Sequence, residues 1–586
     1  MKVLAGMRKG ITFLLSLSKG KRVPGFGKGE RYPWEAAYPD GVSWRLDIEP
    51  RPLFAILDDT VVTYPDNPCL QFFGKRYSYR EVSSLVARAA KGFQELGVAK
   101  GVKVGLFLPN SPYFVICYYA ILKAGGTVVN FNPLCAEREV ASQIQDSETR
   151  IMVTMNLKSL YPRIGNRLAD TCLEKIVVCR MRFALPFPEN ALFSILKRKE
   201  TAATPSDVRH VTFEELTAND GDFGPVNIDP GQDVAVLQYT GGTTGSPKGA
   251  ILTHANLYTN TIQTRTWATA IKPGEEKILA VLPLFHVFGM TGVMNLGLYI
   301  GAEIVLLPQF KVGEVLKVIG KERPSILMGV PTIYSAINRH KDRGKYNLSS
   351  LKFCISGGAP LPLEIKDAFE RLTGCTLVEG YGLTEAGPVC TLNPFDDRNR
   401  PGSIGLPLPG TFIEIVSLDN PRKTVPLGER GEICISGPQV MAGYWKRADE
   451  TSTVLRGGRL RTGDVGYMDK DGFVFVIDRI KDLIINGGFN VYPRVVEEAI
   501  HLHPAVEEAA VCGIPNQHRG EIVKAYVKLC DGVRLPEPEL HEFLKDKLAP
   551  YEMPREIEFR NGIPKTLIGK PSRRELIAEE SQRLNR

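Results

Sequence analysis

The run Tyr239-Thr240-Gly241-Gly242-Thr243-Thr244-Gly245-Ser246-Pro247-Lys248-Gly249 carries the strongest chemical signal in the chain. Its glycines let the backbone approach an anion closely. The amides, the hydroxyls and the Lys248 ammonium then supply donors and positive charge. A polyphosphate fits such a loop. In a Walker A loop Gly directly precedes the Lys and Ser or Thr directly follows it; here Pro247 precedes Lys248 and Gly249 follows, which disfavours an ordinary nucleotide triphosphatase.

Further motifs follow in order. Pro283-Leu284-Phe285-His286-Val287-Phe288-Gly289 is an apolar aromatic run holding one histidine. Ser356-Gly357-Gly358-Ala359 and Gly380-Tyr381-Gly382-Leu383-Thr384-Glu385 are small-residue segments, the second ending in an acid. Thr462-Gly463-Asp464, Asp478-Arg479-Ile480-Lys481-Asp482, and Pro564-Lys565-Thr566 with Gly569-Lys570 complete the series. Singly, each has a bland meaning: Thr-Gly-Asp is a turn, a lone Glu or C-terminal Lys is a solvated charge, and a His among aromatics is a packed core residue. Together with the glycine-rich string they resemble the signature segments of the adenylate-forming superfamily, which includes acyl-CoA synthetases, firefly luciferase and peptide-synthetase adenylation domains. The resemblance runs from about Trp44 to the C-terminus; Ile568 departs from it, standing where a small polar residue is commoner.

The resemblance implies a role for each segment. Thr240, Gly241, Gly242, Thr243, Thr244, Gly245, Ser246 and Lys248 cradle the phosphates of ATP, and Glu385 with Thr244 holds Mg²⁺, which bridges phosphate oxygens and keeps several waters. Gly357, Gly358, Ala359, Gly380, Tyr381, Gly382 and Thr384 line the adenine side. Asp464 accepts the ribose hydroxyls, as acidic residues do in other nucleotide sites, and Arg479 joins the nucleotide contacts. His286 orients the acyl carboxylate. Lys570 is the expected catalytic cation of the first step, with Thr243, Glu385 and His286 completing the catalytic set, because carboxylate attack on the α-phosphate brings two anions together. For the second step the small domain rotates about Lys481, withdraws the lysine loop and brings Gly487, Gly488 and Asn490 to the coenzyme A side. Gly488 lets the pantetheine arm pass where a side chain would block it.

The elements that must position these residues read as an α/β chain. Tyr79 to Leu96 has helical register, Val102 to Leu108 reads as a buried strand, Ser111 to Lys123 as a helix and Thr127 to Phe131 as a second strand. This strand, helix, strand unit builds parallel sheets. Strand patterns recur at Lys277 to Leu282, Glu303 to Leu307 and Ile326 to Val330, the last followed by Pro331 and a helix. From about Arg479 the elements shorten and alternate, as in a smaller α+β domain. The expected organisation is a basic amphipathic extension over 1–45, a large ATP- and acyl-binding domain with parallel sheets and helices over 46–478, and a small mobile C-terminal domain over 479–586 with the hinge at its start.

Composition sets the outer bounds. The chain has 586 residues, too many for one hydrophobic core, and is 43% hydrophobic and 24% charged, close to a globular average. Eleven scattered cysteines suit reduced thiols and a cytoplasmic compartment better than a disulfide framework. The net charge of +8 is mild and gives no reason to expect nucleic acid. Much of it sits before Arg31. Read as a helix, Val3, Leu4, Met7, Ile11, Leu14 and Leu15 fall on one face and Lys2, Arg8, Lys9, Thr12 and Lys19 on the other. That pattern fits either a peripheral contact at the inner face of a membrane or a solvated basic tail.

The expected activity is that of a long-chain fatty acid CoA ligase: the fatty acid and ATP give acyl-AMP and pyrophosphate, then coenzyme A gives acyl-CoA and AMP. The long-chain preference rests on resemblance of Glu30 to Val42 and Phe183 to Lys199 to bacterial long-chain synthetases. Other readings stay open: a ligase for a medium-chain, aryl or other acid, a luciferase-like oxygenase, a free-standing adenylation domain, or a catalytically silent lipid-binding relative. A homodimer stays open as well. Retention of Lys248, Glu385, Asp464 and Lys570 together speaks against the silent relative.

Overall fold

The structure is a computed structural model that describes residues 32–240, 247–486, 489–516, 520–565 and 571–584. Its contacts divide the chain into two compact units, one running to Phe412 and including Ser436–Leu460, the other made of Ile413–Ile435 and the residues from Arg461 on.

The first unit is built on two large sheets. In the eight-stranded sheet, Val234–Thr240, Thr127–Asn130, Lys103–Phe107, Thr149–Met155, Lys175–Cys179 and His210–Thr212 run parallel in that spatial order. The nine-stranded sheet has Pro68–Phe72, Glu303–Leu306, Lys277–Ala280, Ile326–Gly329, Phe353–Ser356 and Thr376–Gly382 in parallel order, with antiparallel strands at both margins. Helix Pro112–Lys123 is buried along its whole length and packs on strands of both sheets. A helix that is apolar all round can exist in water only when covered all round. Ser111 caps it, its hydroxyl accepting from Phe114 N.

The parallel pattern expected from the sequence is present, with boundaries one or two residues inside those read from periodicity: Tyr79–Glu95 for the first helix and Lys103–Phe107 for the first strand. Antiparallel additions join it. Lys248–Thr253 pairs antiparallel to Val234–Thr240, and Gly443–Tyr444 pairs antiparallel to Lys248–Thr253. The link from Thr240 to Lys248 is shorter than the roughly dozen residues a parallel crossover needs, so a hairpin is the geometry the sequence permits.

The second unit holds two sheets. The first uses Phe412–Val416, Gly431–Ser436, Arg459–Met468 and Val474–Arg479. The second is ordered Phe489–Val491, Ile484–Asn486, Gly520–Leu529, Val506–Asn516, with Glu556–Phe559 parallel to Gly520–Leu529. Helix Pro493–His501 buries Val496 and Ile500 in a core with Val511, Val523 and Leu540.

Candidate active site

Thr240 and Lys248 are register partners at the mouth of the 234–253 hairpin. The loop between them contains Gly241, Gly242, Thr243, Thr244, Gly245 and Ser246, which lie outside the described residues. The hairpin is fixed next to this mouth by Asp146, at the end of helix Glu137–Ser147. Asp146 Oδ2 accepts from the Tyr239 hydroxyl at 2.6 Å, and Oδ1 accepts from Arg447 at 2.8 Å. Its backbone carbonyl accepts from Trp445 Nε1 at 3.0 Å. Burial and the adjacent Asp146 carboxylate push the Tyr239 phenol above its ordinary pKa, so it remains a donor.

At the same mouth, Lys248 forms an ion pair with Glu450, and its Nζ lies 5.4 Å from the ring centroid of Tyr444. The Tyr444 hydroxyl donates to Glu385 Oε1 at 2.7 Å. Burial, then the Glu385 charge, raises the Tyr444 pKa and keeps its proton in place. Glu385 lies in the one-turn helix Thr384–Ala386, and its backbone carbonyl accepts from Met441 N at 2.8 Å. Glu385 and Lys248 are thus brought together through the short strand that carries Tyr444.

The polar face of helix His254–Trp267 holds the surrounding loops. Asn256 Nδ2 donates to the carbonyls of Pro438 and Val440, and Asn260 exchanges hydrogen bonds with the backbone of Val389. Buried amides of this kind are tolerated because they are satisfied. At the helix start, His254 Nδ1 accepts from Leu53 N at 3.1 Å, and burial depresses its pKa to about 4.

His286 precedes a π-helix, Phe288–Asn295, an element rare enough to mark functional segments. Its Nδ1 accepts from Phe288 N at 3.2 Å, which assigns the proton to Nε2. Gln238 Nε2 donates to Phe285 O at 2.9 Å, tying this segment to the strand that leads into Thr240. Thr291 Oγ1 donates to Gly387 O at 2.8 Å, tying the π-helix to the turn after Glu385. Gly357 is close enough to Phe288 that a Cβ would stand 3.0 Å from its ring, and a Cβ on Gly382 would stand 2.1 Å from Pro388 O. Only glycine fits at Gly382. Gly358, Ala359, Gly380, Tyr381 and Thr384 occupy the strand ends and turns of this same unit.

In the second unit, Asp464 and Arg479 are register partners on adjacent antiparallel strands, with Arg479 Nε 3.1 Å from Asp464 Oδ1. Asp464 is buried. The following turn, Ile480–Asp482, contains the exposed Lys481. Arg573 anchors it: the guanidinium is 2.9 Å from Asp482 and 2.8 Å from Glu497, and 3.7 Å from Asp478. Burial pushes the Asp478 carboxyl up to about 6, with Arg573 opposing the shift. Asn490 is exposed on strand Phe489–Val491, opposite Ile485.

The chain matches the family of AMP-binding enzymes over residues 57–445 and the AMP-binding enzyme C-terminal domain over 495–570. It is 42% identical to a long-chain-fatty-acid–CoA ligase of Bacillus subtilis (strain 168), over 94% of this chain and 98% of that one. The chain belongs to the AMP-binding enzyme family. An Escherichia coli O6:H1 relative with the same description is 34% identical over 93% of this chain and 98% of its own. The solved structure of the anthranilate CoA ligase AuaEII in complex with anthranoyl-AMP superposes with a TM-score of 0.80 at 26% identity, covering 92% of this chain and 98% of that one.

Of the residues expected to serve an AMP-binding enzyme, Thr240, Lys248, His286, Gly357, Gly380 and Glu385 share the first unit, and Asp464, Arg479, Lys481 and Asn490 share the second. Gly487, Gly488 and Lys570 join the phosphate-loop residues outside the described set. Sequence reading missed Tyr444, Glu450 and Asp146. Tyr444 is 59 positions from Glu385, and no periodicity links the two.

Proposed function

We propose that this AMP-binding enzyme is a long-chain fatty acid CoA ligase that uses ATP and Mg²⁺ to form an acyl-adenylate and then transfers the acyl group to coenzyme A. The observation that carries the reading is the convergence of Lys248, Tyr444 and Glu385 at the mouth of the 234–253 hairpin, within a chain similar to long-chain-fatty-acid–CoA ligases over nearly its full length.

The donor set fits a magnesium nucleotide. Among the described residues no cluster of three or more His, Cys, Asp or Glu side chains could hold a metal. Mg²⁺ bound by one carboxylate, phosphate oxygens and water needs no such cluster. Glu385, oriented by Tyr444, is the carboxylate, and Thr244 is the second residue assigned to the ion. When bound, the ion neutralises phosphate charge. Lys248 and Thr240 bind the phosphates, and Asp464 takes the ribose hydroxyls. His286, with its proton on Nε2, donates to the acyl carboxylate and aims one oxygen at the α-phosphorus. As that oxygen bonds to phosphorus, the bond to the β-phosphate oxygen breaks and pyrophosphate leaves, with Lys570 stabilising the charge. The second unit then turns about Lys481, and the coenzyme A thiolate attacks the acyl carbonyl and expels AMP.

Among the described residues no helix is long and apolar enough to cross a membrane. The proposal places the enzyme in the cytoplasm, in contact with the inner face of a membrane through residues 1–22.

Chain length is tested by catalytic efficiency over saturated acids of about eight to eighteen carbons, below their micelle concentrations. If the acyl chain lies in an apolar tunnel, each buried methylene contributes about 0.8 kcal/mol, so two added carbons raise efficiency roughly tenfold until that tunnel ends or diffusion limits the rate. A maximum below about ten carbons would defeat the long-chain assignment and leave the adenylate mechanism standing.

A further inference from the structure

Between strands Lys175–Cys179 and His210–Thr212, at the margin of the eight-stranded sheet, the chain makes an excursion through helices Met181–Ala184 and Glu189–Leu196 and a single turn, Arg198–Glu200. Ala184 and Leu185 are buried and anchor the excursion. Three of its described apolar groups face outward: Phe187 is 84% exposed, Leu192 49% and Phe183 40%. Lys75 Nζ donates to Phe183 O at 2.7 Å and sets the tip of the 68–78 hairpin beside it, where Phe73 is 48% exposed. Folded monomers leave single apolar residues in water freely, but aromatic groups collected on one short excursion mark a contact surface.

The charge around these groups has one sign in excess. Arg180, Arg182, Lys197, Arg198 and Lys199 stand against Glu189 and Glu200. Arg182, Lys197, Arg198 and Lys199 are exposed, and Lys197 is 2.5 Å from Glu200. Exposed aromatic side chains with an excess of exposed cations on the same excursion, Arg182 lying 4.4 Å from the Phe183 ring centroid, match the boundary between acyl chains and anionic headgroups. They do not match a second copy of the same surface, whose cations would repel these.

We propose that the face formed by Phe73, Phe183, Phe187 and Leu192, with Lys197, Arg198 and Lys199, docks the enzyme on an anionic lipid bilayer. The contact is independent of residues 1–22 and of the acid that the enzyme activates. It holds the first unit at the membrane surface without crossing it, in keeping with the absence of a spanning helix among the described residues.

The test is sedimentation of the full chain with phosphatidylcholine vesicles, with and without phosphatidylglycerol. The variants are Phe187→Ser with Leu192→Ser; Lys197→Gln with Arg198→Gln and Lys199→Gln; and deletion of 1–22. The triple glutamine variant alters only exposed side chains and keeps the test open if the serine pair misfolds. Neutralising three cations lowers partition onto anionic vesicles about a hundredfold at low salt, less at high salt. The serine pair lowers it by at least about tenfold. Both effects persist when 1–22 is deleted, and thermal melting of the glutamine variant matches the parent. Undiminished sedimentation of the glutamine variant overturns the proposal. So does loss of all vesicle binding on deletion of 1–22 alone. Conversion of a dimeric parent to monomers by the serine pair, with vesicle binding unchanged, would assign the face to a second copy and overturn it as well.

Discussion

The Tyr444 hydroxyl is 2.7 Å from Glu385 Oε1, and the same tyrosine's ring lies 5.4 Å from Lys248 Nζ. One side chain thus links the proposed magnesium carboxylate to the proposed phosphate lysine, on a strand hydrogen-bonded to the one Lys248 begins. Tyr444→Phe keeps the ring and removes the donor. Hydrogen bonds to charged groups contribute about 1.5–3 kcal/mol, so kcat/KM for MgATP falls at least about tenfold. Half-saturating Mg²⁺ rises with it. Pyrophosphate exchange titrated with Mg²⁺ measures both, and unchanged values would mean that Tyr444 only packs.

Lys570→Ala is expected to suppress pyrophosphate release on the order of 10²–10³-fold. Conversion of supplied acyl-AMP and coenzyme A to thioester stays near the parent rate if, as proposed, the lysine serves only the phosphate step. Equal loss in the two half-reactions sinks the assignment.

The opposite split is expected from Gly488→Leu and from Lys481→Pro. The first fills the proposed pantetheine path and the second stiffens the proposed hinge, so adenylation survives and thioester formation suffers. Single-turnover assays of each half-reaction decide this; normal thioester rates in both variants count against rotation about Lys481.

His254 makes stability fall in acid. Its folded pKa, about 4, lies below the ordinary 6.5 because burial disfavours the imidazolium. The neutral ring's contribution is therefore complete above about pH 6.5 and is lost as pH falls toward 4; the gap corresponds to about 3 kcal/mol. Urea unfolding across that range should show the decline, and His254→Asn, which keeps an acceptor for Leu53 N, should flatten it. An identical pH profile in the variant refutes the cause.

Where periodicity was strong, the elements were legible in the sequence. The helix at Tyr79–Glu95 and the strands at Lys103–Phe107 and Ile326–Gly329 bury a regular apolar pattern, and the structure trims only their ends. The π-helix at Phe288–Asn295 was not legible, since its extra residue per turn leaves no distinct period in eight residues. The motif segments could be singled out because local strings carry them. Tyr444, Glu450 and Asp146 could not, because their roles exist only after distant strands pair.

The Lys248–Glu450 ion pair carries a consequence for selectivity. A cation already matched by an internal carboxylate binds a new anion only by exchange, so a ligand must outcompete Glu450 before it gains anything from Lys248. Chloride or a single phosphate makes few contacts with which to win that exchange. A chelated polyphosphate makes more. Glu450 would then act as a built-in competitor, setting a threshold that keeps abundant small anions out of the nucleotide site and softening the salt dependence of ATP binding.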